Sequence, residues 1–382
     1  TFHLDIPDNL RGKSAVLQFT LEGDSTVYLD NVFFKSAHLK LGNPTLARPF
    51  ENTHRENYLI EKPQYSLSYN DAIKGPNWVS WQLNKSWLGN IQQEDLKLRD
   101  SRNYPPVGFP PPFINSPSGI TLPSPDSSYL PNYFGDYPWV ADGSLPDTWV
   151  KTQGPDYRLN KRGFDRGHMT PAGDRTRTFK DIYSTFTTTN VLPQHQGNNR
   201  QGTAWAGLEK HAREQLVERQ NRELYIIAGG LDYSAESPRG HSDIREIHNG
   251  ISTNTEGRIV LDSNGTLTPN PKNIRIPNYT WKIIVSLEPG QSLTDVTINT
   301  EVIAVITPNR NSRSTPDSLY RLPPSSSHPN GFLPNGVTDW NNWEQWQVSV
   351  DYLEELTRYD FLSNVSEEIQ TAIEREHQNP FV

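Results

Sequence analysis

The chain has 382 residues, a formal net charge of −8, ten tryptophans, sixteen tyrosines and no cysteine. That length allows two domains or one large core with insertions, and the lack of cysteine excludes disulfides, thiolate nucleophiles and sulfur-built zinc sites. No apolar run approaches the roughly 20 residues of a membrane-spanning helix, and the acidic balance argues against a protein that coats nucleic acid by general attraction.

The opening TFHLDIPDNL lacks the basic and apolar regions of a signal peptide. With no initiating Met, Thr1 reads as an internal start. Residues 15–34, AVLQFTLEGDSTVYLDNVFF, alternate Leu17, Phe19, Leu21 and then Val27, Leu29, Phe33 around Gly23-Asp24-Ser25, which predicts a β-hairpin. Two strands cannot bury a core alone, so they dock on the downstream chain or close a sandwich. The ending YLDNVFF resembles the last strands of jelly-roll carbohydrate-binding modules.

From 40 to 90, NYLIEKPQYSLSYN and NWVSWQLNKSW predict short strands with aromatic cross-strand pairs. Eleven of the thirty-one prolines fall between 101 and 146, so this stretch is expected as an extended insertion, short of the backbone donors that helix or sheet needs. Residues 151–180 carry eight basic residues against three acidic ones, whereas 351–382 carry eight acidic residues against Arg358 and Arg375. A basic locus on an acidic body suits a localised anionic ligand. Polar text near 234–275 and 314–331 reads as further insertions. TAWAGLEKHAREQLVERQ (203–220) has helical periodicity through Trp205, Leu208, Ala212 and Leu216. LYIIAGG (224–230), WKIIVSL (281–287) and EVIAVITPN (301–309) read as buried strands, and QVSVDYLEELTRYDFL leads into a last helix with Ser366 as N-cap. Strands and helices do not alternate regularly, so the fold class is α+β with a mostly antiparallel sheet.

Five segments in order, DRGHM (165–169), DRT (174–176), TTNVLPQ (188–194), NNR (198–200) and WAGLEKHAR (205–213), resemble the DNA/RNA non-specific endonuclease family, whose members are ββα-metal nucleases. The likeness extends over roughly residues 40 to 380 with gaps. It implies a ββα-metal core in 37–382, interrupted by the proline-rich insertion, with 1–36 as a hairpin or sandwich remnant.

Phosphodiester hydrolysis needs a base for water, cations for the charge building on phosphate, and help for the leaving oxygen. By resemblance His168 is the base, and an ordinary imidazole near pH 6.5 suits that task. One Mg²⁺ or Mn²⁺ is implied on a single Asn side chain and waters. Asn199 has the family's distance from Gln194, but it stands ten residues before Glu209 where the family has eight. Asn198 and Gln201 therefore remain rivals, with helix capping as their structural reading. Glu209 and Arg213, at i and i+4, would be an ordinary surface pair if read alone. The resemblance makes Glu209 a holder of metal-bound water and Arg213 a phosphate contact. Arg166 clamps phosphate in the same reading, Asp165 orients its neighbours, and Arg175 and Arg177 serve general attraction or the hairpin surface. Where the family carries another phosphate-binding Arg this chain has Gln93, with Arg99 as a nearby substitute. The implied partners are DNA and RNA, single- or double-stranded, and a protein inhibitor. The implied location is extracellular or periplasmic, and the implied products carry 5′-phosphates. The alternative is an adhesion or carbohydrate-binding protein with an inactive nuclease-like domain. A zinc hydrolase is excluded by the lack of a cluster such as HExxH.

Overall fold

The computed structural model describes residues 37–50, 54–93, 139–157, 164–231, 274–291, 293–309, 322–326 and 339–375. The hairpin expected at 15–34, Arg99, and most of the proline-rich stretch and of the insertions at 234–275 and 314–331 lie outside the described residues.

The aromatic-rich text before residue 90 forms a meander of β1 (Tyr58–Glu61), β2 (Ser66–Asn70) and β3 (Gly75–Leu83). Its register sets Tyr58 opposite Tyr69, and Trp149 packs on both rings, at 5.1 and 6.3 Å between centroids. Two further strands, β4 (Phe164–His168) and β5 (Val191–His195), make a separate antiparallel ribbon. The main sheet is completed by β6 (Glu223–Leu231), β7 (Tyr279–Leu287) and β8 (Glu301–Pro308). Its order is β1-β2-β3-β6-β7-β8, and each neighbouring pair is antiparallel. Every residue of β3 and β7 is buried. The polar side chains of β3 find partners inside the fold, as when Gln82 Nε2 donates to Glu223 Oε1 at 2.6 Å and Ser80 Oγ to His38 O.

Helices are short. After α1 (Phe179–Ser184) and α2 (Gln196–Asn199), α3 (Ala204–Lys210) runs without a break into a π-helical stretch, His211–Arg219. Together they realise the helix expected over 203–220, with Trp205, Leu208, Ala212 and Leu216 as its buried stripe. In the π stretch the hydrogen-bonded ring widens, as from Gln220 N to Gln215 O at 3.1 Å. Asn221 then closes the helix in the left-handed region at φ 59°. The text expected only to lead into the last helix holds one of its own, α4 (Val350–Thr357), capped by Ser349 Oγ accepting from Tyr352 N at 3.1 Å. Ser366 precedes α5 (Glu367–Arg375), and its carbonyl accepts from Gln370 N at 2.8 Å.

The result is α+β with a mostly antiparallel sheet. Within it, the ribbon β4–β5 followed by α2 and α3 is a ββα unit. Asn309, just past β8, ties that unit to the sheet: its side chain accepts from His195 N at 2.6 Å and donates to Pro193 O at 3.0 Å and Pro277 O at 2.8 Å.

Candidate active site

Strand alternation sends Arg166 and His168 to one face of β4, and Asp165 to the other. On the first face Trp139 lies over both: its ring is 4.7 Å from the His168 imidazole and 5.4 Å from the Arg166 guanidinium. Phe186 meets His168 edge-on at 4.8 Å. His168 Nε2 is buried and has no hydrogen-bond partner among the described residues. Burial in this aromatic cage pushes the imidazole down from its ordinary 6.5 to about 3. His168 is therefore neutral across the physiological range.

The cage is anchored from outside. Val140 N donates to Phe186 O at 3.1 Å and Thr188 N to Val140 O at 3.0 Å. Two residues on, Asp142 pairs with Lys62 at 2.8 Å and accepts from the Thr189 hydroxyl and, at 2.8 Å, from Ser144 N. Burial works against the Asp142 carboxylate, but Lys62 and these donors hold it below its ordinary value. Asn190 fixes the exit from β4: its Oδ1 accepts from Thr170 N at 2.9 Å, and its amide donates to Thr170 O at 3.0 Å and Thr185 O at 2.9 Å.

On the other face, Asp165 takes a two-pronged bond from Arg200, at 2.9 and 3.0 Å, and weaker ones from Gln196 and Asn199, both at 3.3 Å. Asn199 uses Nδ2 in that bond, which leaves its Oδ1 as a neutral hard donor. Asn198 is spent on structure: its amide donates to Thr280 Oγ1 at 2.7 Å and accepts from Thr307 Oγ1 at 3.1 Å, behind 3% exposure. Gln201 lies exposed on the turn before α3. Of the three rivals Asn199 best fits a hard divalent cation, because a small octahedral ion that keeps its waters needs one fixed oxygen. Beside it Gln194 is wholly buried with neither amide atom hydrogen-bonded among the described residues. A Cβ at Gly167 would fall 2.2 Å from Gln194 Oε1, so the glycine of DRGH is demanded by this close approach.

The segment leaving β4 delivers Asp174 to a third group. Asp174 accepts from Trp81 Nε1 at 2.8 Å and from Arg213 Nη1 at 2.9 Å. Burial opposes the Arg213 charge, but Asp174 and Glu209 outweigh it and raise the guanidinium above its ordinary value. Glu209 accepts from Lys282 Nζ at 3.1 Å. The expectation for Arg175 is overturned. Its guanidinium is fully buried, donates to Gln64 O, Asp174 O and Gln82 O at 2.6–2.9 Å, and stacks on Trp87 at 4.2 Å. Burial pulls it down to about 9 against the nearby carboxylates of Asp174 and Asp181. Arg175 ties strands together and attracts nothing from solvent. Arg177 is exposed and bonds Asp181 at 2.9 Å.

Gln93 closes a loop docked on Thr176 through Gly89 N at 2.9 Å and Ile91 N at 3.4 Å. The structure thus brings Asp165, Asn199 and Arg200 into one group and places Glu209 and Arg213 in another, while His168 and Arg166 share the aromatic cage. Sequence reading missed Trp139, Lys282 and the anchoring part of Asp174. A signal existed for Lys282, the one charge within the apolar run WKIIV.

A family model described as DNA/RNA non-specific endonuclease matches residues 42–368. A nuclease of Nostoc sp. is 35% identical over 90% of this chain and 87% of its own length. The human mitochondrial nuclease EXOG is 23% identical over 58% of this chain and 42% of its own. Among solved structures, EndoG in its complex with EndoGI is similar in fold, with a TM-score of 0.50 at 20% identity over 87% of this chain and 92% of that one. A family match that spans the sheet and the whole ββα unit, together with a relative alike over nine-tenths of the sequence, shows that this chain belongs to the DNA/RNA non-specific endonuclease family.

Proposed function

We propose that this endonuclease hydrolyses phosphodiester bonds of both DNA and RNA without sugar preference, depends on one Mg²⁺ or Mn²⁺, and leaves 5′-phosphates. The observation that carries the reading is an imidazole whose Nε2 is buried with no hydrogen-bond partner among the described residues, on the same strand face as Arg166. A neutral imidazole can take the proton of an attacking water without first losing one of its own. Arg166 binds the phosphate beside it, since a guanidinium fork matches two phosphate oxygens. Arg213, held by Asp174, presents a second cation of fixed direction. Asn199 Oδ1 holds the divalent ion, with Asp165 fixing the amide that carries it. When bound, the ion supplies charge stabilisation for the crowded phosphate and the departing oxygen. With the ion in place, Glu209 would hold water beside it. EndoG is seen in complex with EndoGI, and by analogy this protein would also take a protein inhibitor.

The test is plasmid nicking with and without EDTA, beside His168→Ala. We expect EDTA to abolish nicking and the variant to lose about 10²–10⁴-fold in rate while keeping its fold. A folded wild type that binds nucleic acid or glycan but nicks nothing would favour the adhesion reading instead.

A further inference from the structure

The interior of β7 holds one residue that packing alone does not call for. Lys282 is 1% exposed in a strand otherwise filled by Trp281, Ile283, Ile284 and Val285. A leucine or methionine there would avoid taking an ammonium out of water, which costs several kcal/mol unless the charge is well paired. Its Nζ lies 4.0 Å from the Trp205 ring and 5.6 Å from the Trp81 ring, and 3.1 Å from Glu209 Oε1. Burial lowers its pKa, while the carboxylates of Glu209 and Asp174 oppose that shift.

Glu209 and Arg213 stand one helical turn apart, yet each is gripped from elsewhere: Glu209 by Lys282 on β7, Arg213 by Asp174 on the loop after β4. Trp81 joins the two grips, giving its indole N–H to Asp174 and its ring face to Lys282. A side chain held on a helix by a buried cation of the sheet behind it is restricted in its rotamers. A carboxylate left to pair along its own helix surface would exchange among several.

We infer that Lys282 is a positioning residue of the nuclease reaction, fixing Glu209 from behind without touching substrate or metal. This rests on the role proposed above for Glu209. A partner one step behind the metal's own ligands, as Glu209 is in that role, typically changes metal affinity or activity about 10–100-fold, and Lys282 would act through it.

The experiment compares Lys282→Met, Glu209→Gln and the double variant in the full chain, each checked for cooperative unfolding. Two quantities are read: kcat and KM on duplex DNA, and Mn²⁺ affinity from the electron paramagnetic resonance signal of free Mn²⁺. We expect Lys282→Met to weaken Mn²⁺ binding about 10-fold and lower kcat by at least about 10-fold, with KM changed less than about twofold. In the Glu209→Gln background the same substitution should change neither quantity further. The double variant has lost both charges, so it leaves none unpaired and keeps the test open if Lys282→Met alone does not fold. Wild-type kcat and Mn²⁺ affinity in folded Lys282→Met overturn the inference, and so do losses that simply add to those of Glu209→Gln, which mark a packing role only. If Glu209→Gln itself behaves as wild type, the proposed role of Glu209 falls and the inference falls with it. If Glu209→Gln is impaired and Lys282→Met is not, only the inference falls.

Discussion

Removing the indole over the candidate base should move the pH dependence of cleavage. Trp139 and Phe186 cover His168 at 4.7 and 4.8 Å, and burial alone accounts for the fall of its pKa from 6.5 to about 3. At roughly 1.4 kcal/mol per tenfold, that fall corresponds to at most about 5 kcal/mol disfavouring the imidazolium. Trp139 is one of two rings in the cage, so Trp139→Ala, which admits water to one face, should return about half of it and raise the imidazole by about 1–2 pH units. In wild type the acid limb of kcat/KM should lie well below pH 6. In Trp139→Ala it should move up toward 6.5, while Trp139→Leu, which keeps the cover apolar, should stay near wild type. The assay is kcat/KM on a fluorogenic oligonucleotide from pH 4 to 8 at saturating Mn²⁺, with the His168 pKa read independently by NMR of labelled histidine. A wild-type imidazole titrating near 6.5, or an unmoved one in Trp139→Ala, refutes the reasoning.

Asn199→Ala should need far more Mg²⁺ or Mn²⁺ for any cleavage, whereas Gln201→Ala should keep the wild-type metal requirement; a metal titration with the two roles exchanged would reassign the ligand. Gln93→Arg, which restores the residue usual in the family, should tighten DNA binding most at low salt, where phosphate contacts count most; no change at any ionic strength would remove this loop from the phosphate clamp. In the C-terminal helix pair, burial raises Glu354 to about 7 and Glu374 to about 8, with Glu354, Asp351 and Asp360 adding to the rise at Glu374. A carboxyl raised on folding contributes stability fully present below its ordinary value near 4.5 and lost as pH rises through 7 to 8. Thermal midpoints should therefore fall across that window, and Glu374→Gln should flatten the fall in a pH series of melts.

How much of the fold was legible in the sequence depends on how local each signal is. β6, β7 and β8 announce themselves because a strand buried on both faces carries a largely apolar run, and the stripe Trp205, Leu208, Ala212, Leu216 needs no partner to be seen. α4 escaped because Val348, Val350 and Tyr352 alternate like a strand, and only the Ser349 cap and the neighbouring chain decide for helix. DRGH and the spacing of Glu209 to Arg213 point to a site, but not to its walls. Trp139 reaches His168 through a buried Lys62–Asp142 pair between residues eighty apart, and no local pattern carries that. The hydrogen bonds that occupy Asn198 likewise needed the sheet, since Thr280 and Thr307 sit on β7 and β8.

The cluster of arginines on an acidic chain now has a physical reading different from a simple polyanion patch. Arg175 is consumed by backbone carbonyls, Arg177 is bonded to Asp181, Arg200 to Asp165 and Arg213 to Asp174. An arginine paired with a carboxylate contributes little field at a distance but has a fixed direction, and its remaining N–H groups stay available to a phosphate. Such a site trades long-range attraction for orientation. Under the proposed function it would draw substrate in weakly and hold it in register once there. At rest His168 is neutral in its cage, and in the proposed role it becomes a cation only on taking a proton. It gains from a phosphate that arrives in one pose, and the carboxylates of Asp165 and Asp174 are what keep the neighbouring cations from offering several.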